Sequence, residues 1–290
     1  MELQKNINEY RIIEVQRAVS VFPASDRAYL RPSYLLSFSP SIIRTNDNYY
    51  DSQKILIDMK ETGRLPLDAR FMTQAEGLAV ERSYLRVGKD PRTAEEFQDY
   101  FKNNRDAWHA WEWTLTGLRV PKRWENGKVD IGTGKYPRII LIGEKEDGEI
   151  QIPGGGGKAI IEYDELYGIP IETSKTIQFY KNHYACWYFD PNPKLDEISG
   201  QYDIAIVRGG RYDHEDGLLC LIVDANCGRY HTISGSSFRP VYGEIPDTRI
   251  ALSHNNVEEI KHDIFKKMPL KNINNKGIFL SQEIENKYRL

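Results

Sequence analysis

The chain has 290 residues, enough for one large domain or two modest ones, and its 40% hydrophobic and 28% charged residues are ordinary for a globular protein. A formal net charge of −3 offers no basic field for nucleic acid, and no apolar stretch is long enough for a bilayer-spanning helix. The opening residues, MELQKNINEYRII, lack the basic-then-apolar order of a signal peptide, so synthesis in the cytoplasm without membrane insertion is expected.

Tyr10 to Val15 predicts a strand, followed by a loop around Pro23 and Pro32, an apolar run from Tyr34 to Phe38, and a turn at Asn46-Asp47-Asn48. Nothing in this region carries chemistry. Residues 1–90 are expected as an amino-terminal extension, a subdomain or a clasp over the central part of the chain. From Ser52 the pattern becomes helical, although Ile55, Ile57 and Met59 alternate as a short strand would. Asp68 to Arg86 predicts a helix that buries Phe71, Ala75, Leu78 and Ala79, stopped by Lys89-Asp90-Pro91.

Thr93-Ala94-Glu95-Glu96 is a capping box, and Phe97, Tyr100, Phe101, Trp108 and Trp111 recur beyond it at helical spacing. That spacing predicts a long helix with Gly117 as its left-handed cap. His109, between two tryptophans, is read as a helix-surface or core histidine. Arg138 to Glu144, Glu149 to Ile152 and Ala159 to Tyr163 predict strands, with Lys145 to Gly148 turning the first hairpin. The glycine runs before Lys135 and Lys158 are turns rather than phosphate loops, because no Ser or Thr follows the lysine and no helix comes next. Asn255 to Met268 predicts a helix, so residues 244–290 are expected as a helical tail.

The stretch Gln201 to Val241 is different in kind. Ile204 and Ile206 alternate with Asp203, Ala205 and Val207 as in a strand, which breaks at Arg208-Gly209-Gly210. Arg211-Tyr212-Asp213-His214 and Arg229-Tyr230-His231 then mix aromatic, acidic and basic groups without an apolar period. The segment closes on Ser237-Phe238-Arg239-Pro240-Val241.

RGG, about 27 mixed residues and then FRPV resembles the carboxyl-terminal half of the formylglycine-generating-enzyme type of C-type lectin fold. Within it, the pattern is most similar to the variable proteins of diversity-generating retroelements. Thr116-Gly117-Leu118-Arg119-Val120-Pro121 resembles that family's G-x-R-L-P turn, and Trp187 to Pro193 and Ser199 to Asp203 lead into the RGG strand as the family does. The resemblance covers residues 91–243 and implies an α+β C-type lectin-like fold with its variable region at 208–241.

In that family variation enters at the adenines of AAC or AAT codons, a scheme that never reaches Lys, Glu, Gln, Met or Trp. These five types make up about one fifth of the chain, so a 27-residue window should hold about five or six. Between Arg211 and Ser237 there is one, Glu215. A loop-rich, buried lectin half poor in long charged side chains would show the same depletion.

The resemblance implies a non-catalytic receptor- or ligand-recognition protein, its partner a protein or a glycan, displayed on a virion or a cell surface. Tyr212, His214, Arg229, Tyr230 and His231 are the expected anchors, since aromatic and charged side chains dominate binding hot spots. Asp213, Asp216, Asp224 and Asn226 would add directional polar contacts, with Arg211, Leu221 and Ile233 completing the variable face. Leu218, Ile222, Val223 and Ala225 are expected in the core. Alanine at Tyr212, Arg229 and Tyr230 is expected to leave melting nearly unchanged.

Two other readings use the same segment. Formylglycine-generating enzymes oxidise a substrate cysteine through a metal-binding cysteine pair near RGG, but Cys220 and Cys227 do not stand where that pair falls, so no catalytic residue is assigned. A structural virion component is the third possibility. Cys186, Cys220 and Cys227 are too few for a disulfide scaffold, leaving free buried thiols or a Cys220–Cys227 bridge in an oxidising setting. His214, Cys220, Cys227 and His231 share one segment without finger spacing, and Asp213, Asp216 and Asp224 form no recognisable calcium loop. No cofactor is therefore assigned, with zinc and calcium as the alternatives.

Overall fold

Pairing of period-two segments builds most of this molecule. A computed structural model describes residues 10–15, 18–22, 27–39, 41–85, 111–120, 138–142, 149–151, 186–189, 194–209, 222–243, 245 and 250–251. Among them the fold is mixed α+β, rich in sheet, with two helices. The amino-terminal strands are Arg11–Val15 (β1), Ala18–Phe22 (β2), Arg27–Arg31 (β3), Tyr34–Phe38 (β4) and Ile43–Arg44 (β5). Helix α1, Tyr49–Glu61, then leads through Arg70–Phe71 (β6) to helix α2, Gln74–Leu85. Trp111–Val120 (β7), Arg138–Ile142 (β8), Glu149–Gln151 (β9) and Cys186–Phe189 (β10) come next. The last strands are Tyr202–Gly209 (β11), Ile222–Gly228 (β12), Ser236–Phe238 (β13), Pro240–Tyr242 (β14) and Ile250–Ala251 (β15).

The largest sheet runs β10-β12-β11-β7-β13-β5. One edge of β7 is given to β11, and the other is divided between β13, parallel at Trp111 and Glu112, and β8, antiparallel from Gly117 to Arg119. β8 pairs in turn with β9, the hairpin expected from the sequence. A second sheet, β1-β4-β14-β6, interleaves amino- and carboxyl-terminal segments, and β15-β3-β2 form a third. Residues 10–85 therefore share two sheets with the Phe238–Val241 motif.

Two expected elements differ in the structure. Ile55 to Met59 is not a strand but the middle of α1, whose Asn48 side chain accepts the Asp51 amide as an N-cap. Tyr49, Ser52, Leu56 and Met59 are buried at helical spacing, while Ile57 is 50% exposed. Trp111 to Val120 is a strand, not the end of a helix. Trp111, Trp113 and Leu115 also recur at every second residue, and pairing along β11 satisfies the backbone of that arrangement. Gly117 lies within this strand rather than capping a helix, and a Cβ there would come 2.9 Å from the Ile204 carbonyl oxygen. Close approach of two strands is what requires glycine.

Helix α2 starts at Gln74 rather than Asp68, and Phe71 belongs to β6. Its start is a capping box: the Glu76 amide donates to the Thr73 hydroxyl at 3.1 Å, and the Thr73 amide to the Glu76 carboxylate at 2.9 Å. Residues 93–110, 159–163 and 255–268 and both glycine runs lie outside the described residues.

The main core gathers Tyr49, Phe71, Trp113, Ala205, Val207 and Phe238, with Phe71 and Phe238 stacked at 4.8 Å. Ile204 and Ile206 are closed off from solvent as well, so β11 is buried along its length. A smaller cluster joins Val15, Leu36, Phe38, Met72, Val80 and Val241 across the second sheet.

The motif arginines lie inside this frame. Arg208 is buried on α2, where any side chain at Gly77 would overlap its guanidinium, and its Nη1 lies 3.3 Å from the Met72 sulfur. Arg239 is fully buried, donating to Glu112 at 2.8 and 3.3 Å and to the Ser39 carbonyl at 2.9 Å. Charge-assisted bonds of this kind hold a buried guanidinium in place.

Candidate ligand-binding surface

The segment after β12 is fastened to the start of α1 mainly through backbone. The Tyr49 amide donates to the Arg229 carbonyl, the Thr45 and Asn46 amides to the Ser236 carbonyl, and the Gly235 amide to the Asn46 side chain at 3.0 Å. Within the turn the His231 amide returns to Gly228 and the Ser236 amide to Ile233. These bonds fix both ends of the loop, and between them Tyr230, His231, Thr232 and Ser234 are exposed while Ile233 turns to the core. Tyr230 is 42% exposed, and His231 is also exposed.

Tyr230 packs on Tyr50 of α1, ring centroids 5.2 Å apart and planes tilted by 56°. The Tyr50 hydroxyl donates to Asp196 at 2.6 Å, so its phenol is pushed well up by burial and by that bond. The other oxygen of Asp196 accepts the Ile198 and Ser199 amides and closes a turn in which Leu195 is 51% and Ile198 60% exposed. Aromatic contacts continue inward from Tyr50 to Tyr49 and on to Trp113 and Phe71. The exposed ring of Tyr230 thus stands at the end of a packed column that reaches the core.

Arg229 behaves differently from its neighbour. Its guanidinium lies 5.0 Å from the Tyr49 ring centroid and 3.8 Å from the buried Asp203 carboxylate, which also takes Arg119 at 2.8 Å. It is a fastening for the loop, so the expectation that Arg229 can be truncated without loss of stability is corrected. Arg229→Ala should cost about 2 kcal/mol in urea denaturation, because the buried Asp203 carboxylate loses a nearby cation and the Tyr49 ring loses its guanidinium. Tyr230→Ala should stay within about 0.5 kcal/mol of the parent, as exposed positions usually do. Equal losses from the two would sink the distinction.

Asp224 is half-buried on β12, where its charge, after burial, helps push the Cys227 thiol up to about 12. Cys227 is a free thiol and stays protonated at neutral pH. Ile233 is packed against the main core, and Val223 and Ala225 are buried as expected. Asn226 lies in β12, its side chain outside the described residues, as are Arg211, Tyr212, Asp213, His214, Asp216, Leu221, Leu218 and Cys220. Among the described residues no three His, Cys, Asp or Glu side chains gather where a metal could be held, and no helix is long and apolar enough to cross a membrane. Tyr50 and Asp196 escape a reading by segment, since only the tertiary fold joins them. The exposed apolar pair Leu195 and Ile198, in an otherwise polar turn, is the signal that could have marked the place.

No family model, curated protein or solved structure matches this chain.

Proposed function

We propose that the chain is a non-catalytic ligand-recognition protein, presenting a diversified surface on a C-type lectin-like scaffold of the kind used by retroelement variable proteins. One contrast carries the reading. The motif residues Arg208 and Arg239 are buried and bonded, whereas the turn between them offers Tyr230 and His231 to solvent. Separating folding from specificity in this way lets the tip vary while the frame supplies stability. Burial of Tyr49, Trp113 and Phe238 holds the frame, and the short backbone bonds around Asn46 and Ser236 hold the tip's position. The partner is a protein or a glycan, and the chain presents its surface to it from a virion or a cell surface.

The coding sequence provides the test. An imperfect copy of the Arg208–Val241 stretch, differing from it at adenines and lying near a reverse transcriptase gene, is the expected finding. A neighbourhood with a sulfatase gene and no such copy would favour the oxidase chemistry of the same fold class instead.

A further inference from the structure

We infer that the Tyr50–Tyr230 patch takes a basic side chain, a lysine or arginine displayed by a protein partner. The inference rests on the ligand-recognition reading and names the chemistry of its guest. Geometry provides the seat: a 42% exposed tyrosine ring backed by a second ring at 5.2 Å, beside exposed Leu195 and Ile198. Lysine and arginine carry an apolar stem that such side chains cover, and a cationic head that a tyrosine face attracts.

Charge selects between guests. Lys54 on α1 is already tied to Asp51 at 2.7 Å, and Arg229 lies behind the patch, between the Tyr50 hydroxyl and Asp203. Glu197 is exposed and forms no ion pair among the described residues. Asp196 commits its oxygens to the Tyr50 hydroxyl, which Arg229 also bonds, and to two amides, so its charge is partly offset and Glu197 carries the open one. The Tyr230 phenol is raised first by desolvation and then by Asp196 and Glu197, with Lys54 opposing and Asp51 adding. An acidic guest would meet that same field with the wrong sign, and a purely apolar one would leave Glu197 without a partner.

Fluorescence anisotropy of the full chain with labelled oligolysine, oligoglutamate and glycine–serine peptides of equal length tests this. Oligolysine should bind best, lose affinity as salt rises, and bind about tenfold more weakly to both Tyr230→Ala and Glu197→Lys. Tyr230→Ala leaves net charge untouched, so its effect separates the patch from the overall charge of −3. Glu197→Lys, at an exposed turn position, keeps the test open if the other variant folds poorly. Oligolysine binding that neither substitution weakens, absence of that binding, or equal binding of either control peptide would overturn the inference. Such a result leaves the recognition reading standing, since that depends on the adenine-marked copy.

Discussion

Arg239→Ala is expected to lower stability by about 3–5 kcal/mol, the loss typical of breaking a buried ion pair from one side. Arg239 is fully buried, and Glu112 opposite it is nearly so. Removing the guanidinium leaves the Glu112 carboxylate without the two bonds it receives, and the Ser39 carbonyl without its donor. The site also joins three elements, because Glu112 lies on β7, Ser39 follows β4, and Arg239 separates β13 from β14. A native domain is stable by only about 5–15 kcal/mol, so this single change removes a large share. Urea denaturation should show a lower midpoint with an unchanged slope. Arg239→Met combined with Glu112→Leu should recover much of the loss, because the matched apolar pair has no charge to desolvate. A cost under about 1 kcal/mol for the single variant would show that water reaches the pair.

The second large effect is expected at Glu76. Its buried carboxylate receives Arg70 at 2.7 and 2.6 Å, the Tyr34 hydroxyl at 2.8 Å and the Thr73 amide at 2.9 Å. Burial by itself would raise this carboxyl, but the Arg70 bonds and charge, then the Thr73 amide and Tyr34 hydroxyl, outweigh it and hold it below its ordinary 4.5. A lowered folded value makes the stabilisation complete above 4.5 and removes it as pH falls through that folded value. Glu76→Gln should therefore cost about 3 kcal/mol near neutral pH, where Arg70 loses its carboxylate partner and the Phe71 and Gly243 carbonyls it also bonds carry no compensating charge. The gap between parent and variant should narrow progressively in acid. A gap that stays constant through the acid range would exclude linkage to this carboxylate.

Much of the sheet was legible where local pattern and final pairing agree. Arg11–Val15 and the β8–β9 hairpin read as strands from their short apolar and β-branched runs, Tyr202–Gly209 from its alternation, and all pair in space. The beginning of α2 was also written plainly, in Thr73-Gln74-Ala75-Glu76, yet the apolar period around it drew the expected start back to Asp68. Trp111 fits a period of three or two equally well, and only the availability of β11 as a partner decides for the strand. At the surface, residue type indicated Tyr230 and His231 as outward groups. Type could not tell that Arg229 turns inward, because its partners Asp203 and Tyr49 come from distant segments. The expected role of a motif arginine was open in the same way until its burial was known.

The joins made by β13 and β14 also bear on how the chain is made. Until Ser236 to Tyr242 has left the ribosome, β5, the lower part of β7, β4 and β6 each lack a neighbour they later acquire. A nascent chain thus carries open edges for most of its synthesis, the condition in which strands pair with the wrong molecule. Since these late contacts also span most of the chain, folding should be slow for its size and sensitive to chaperone supply.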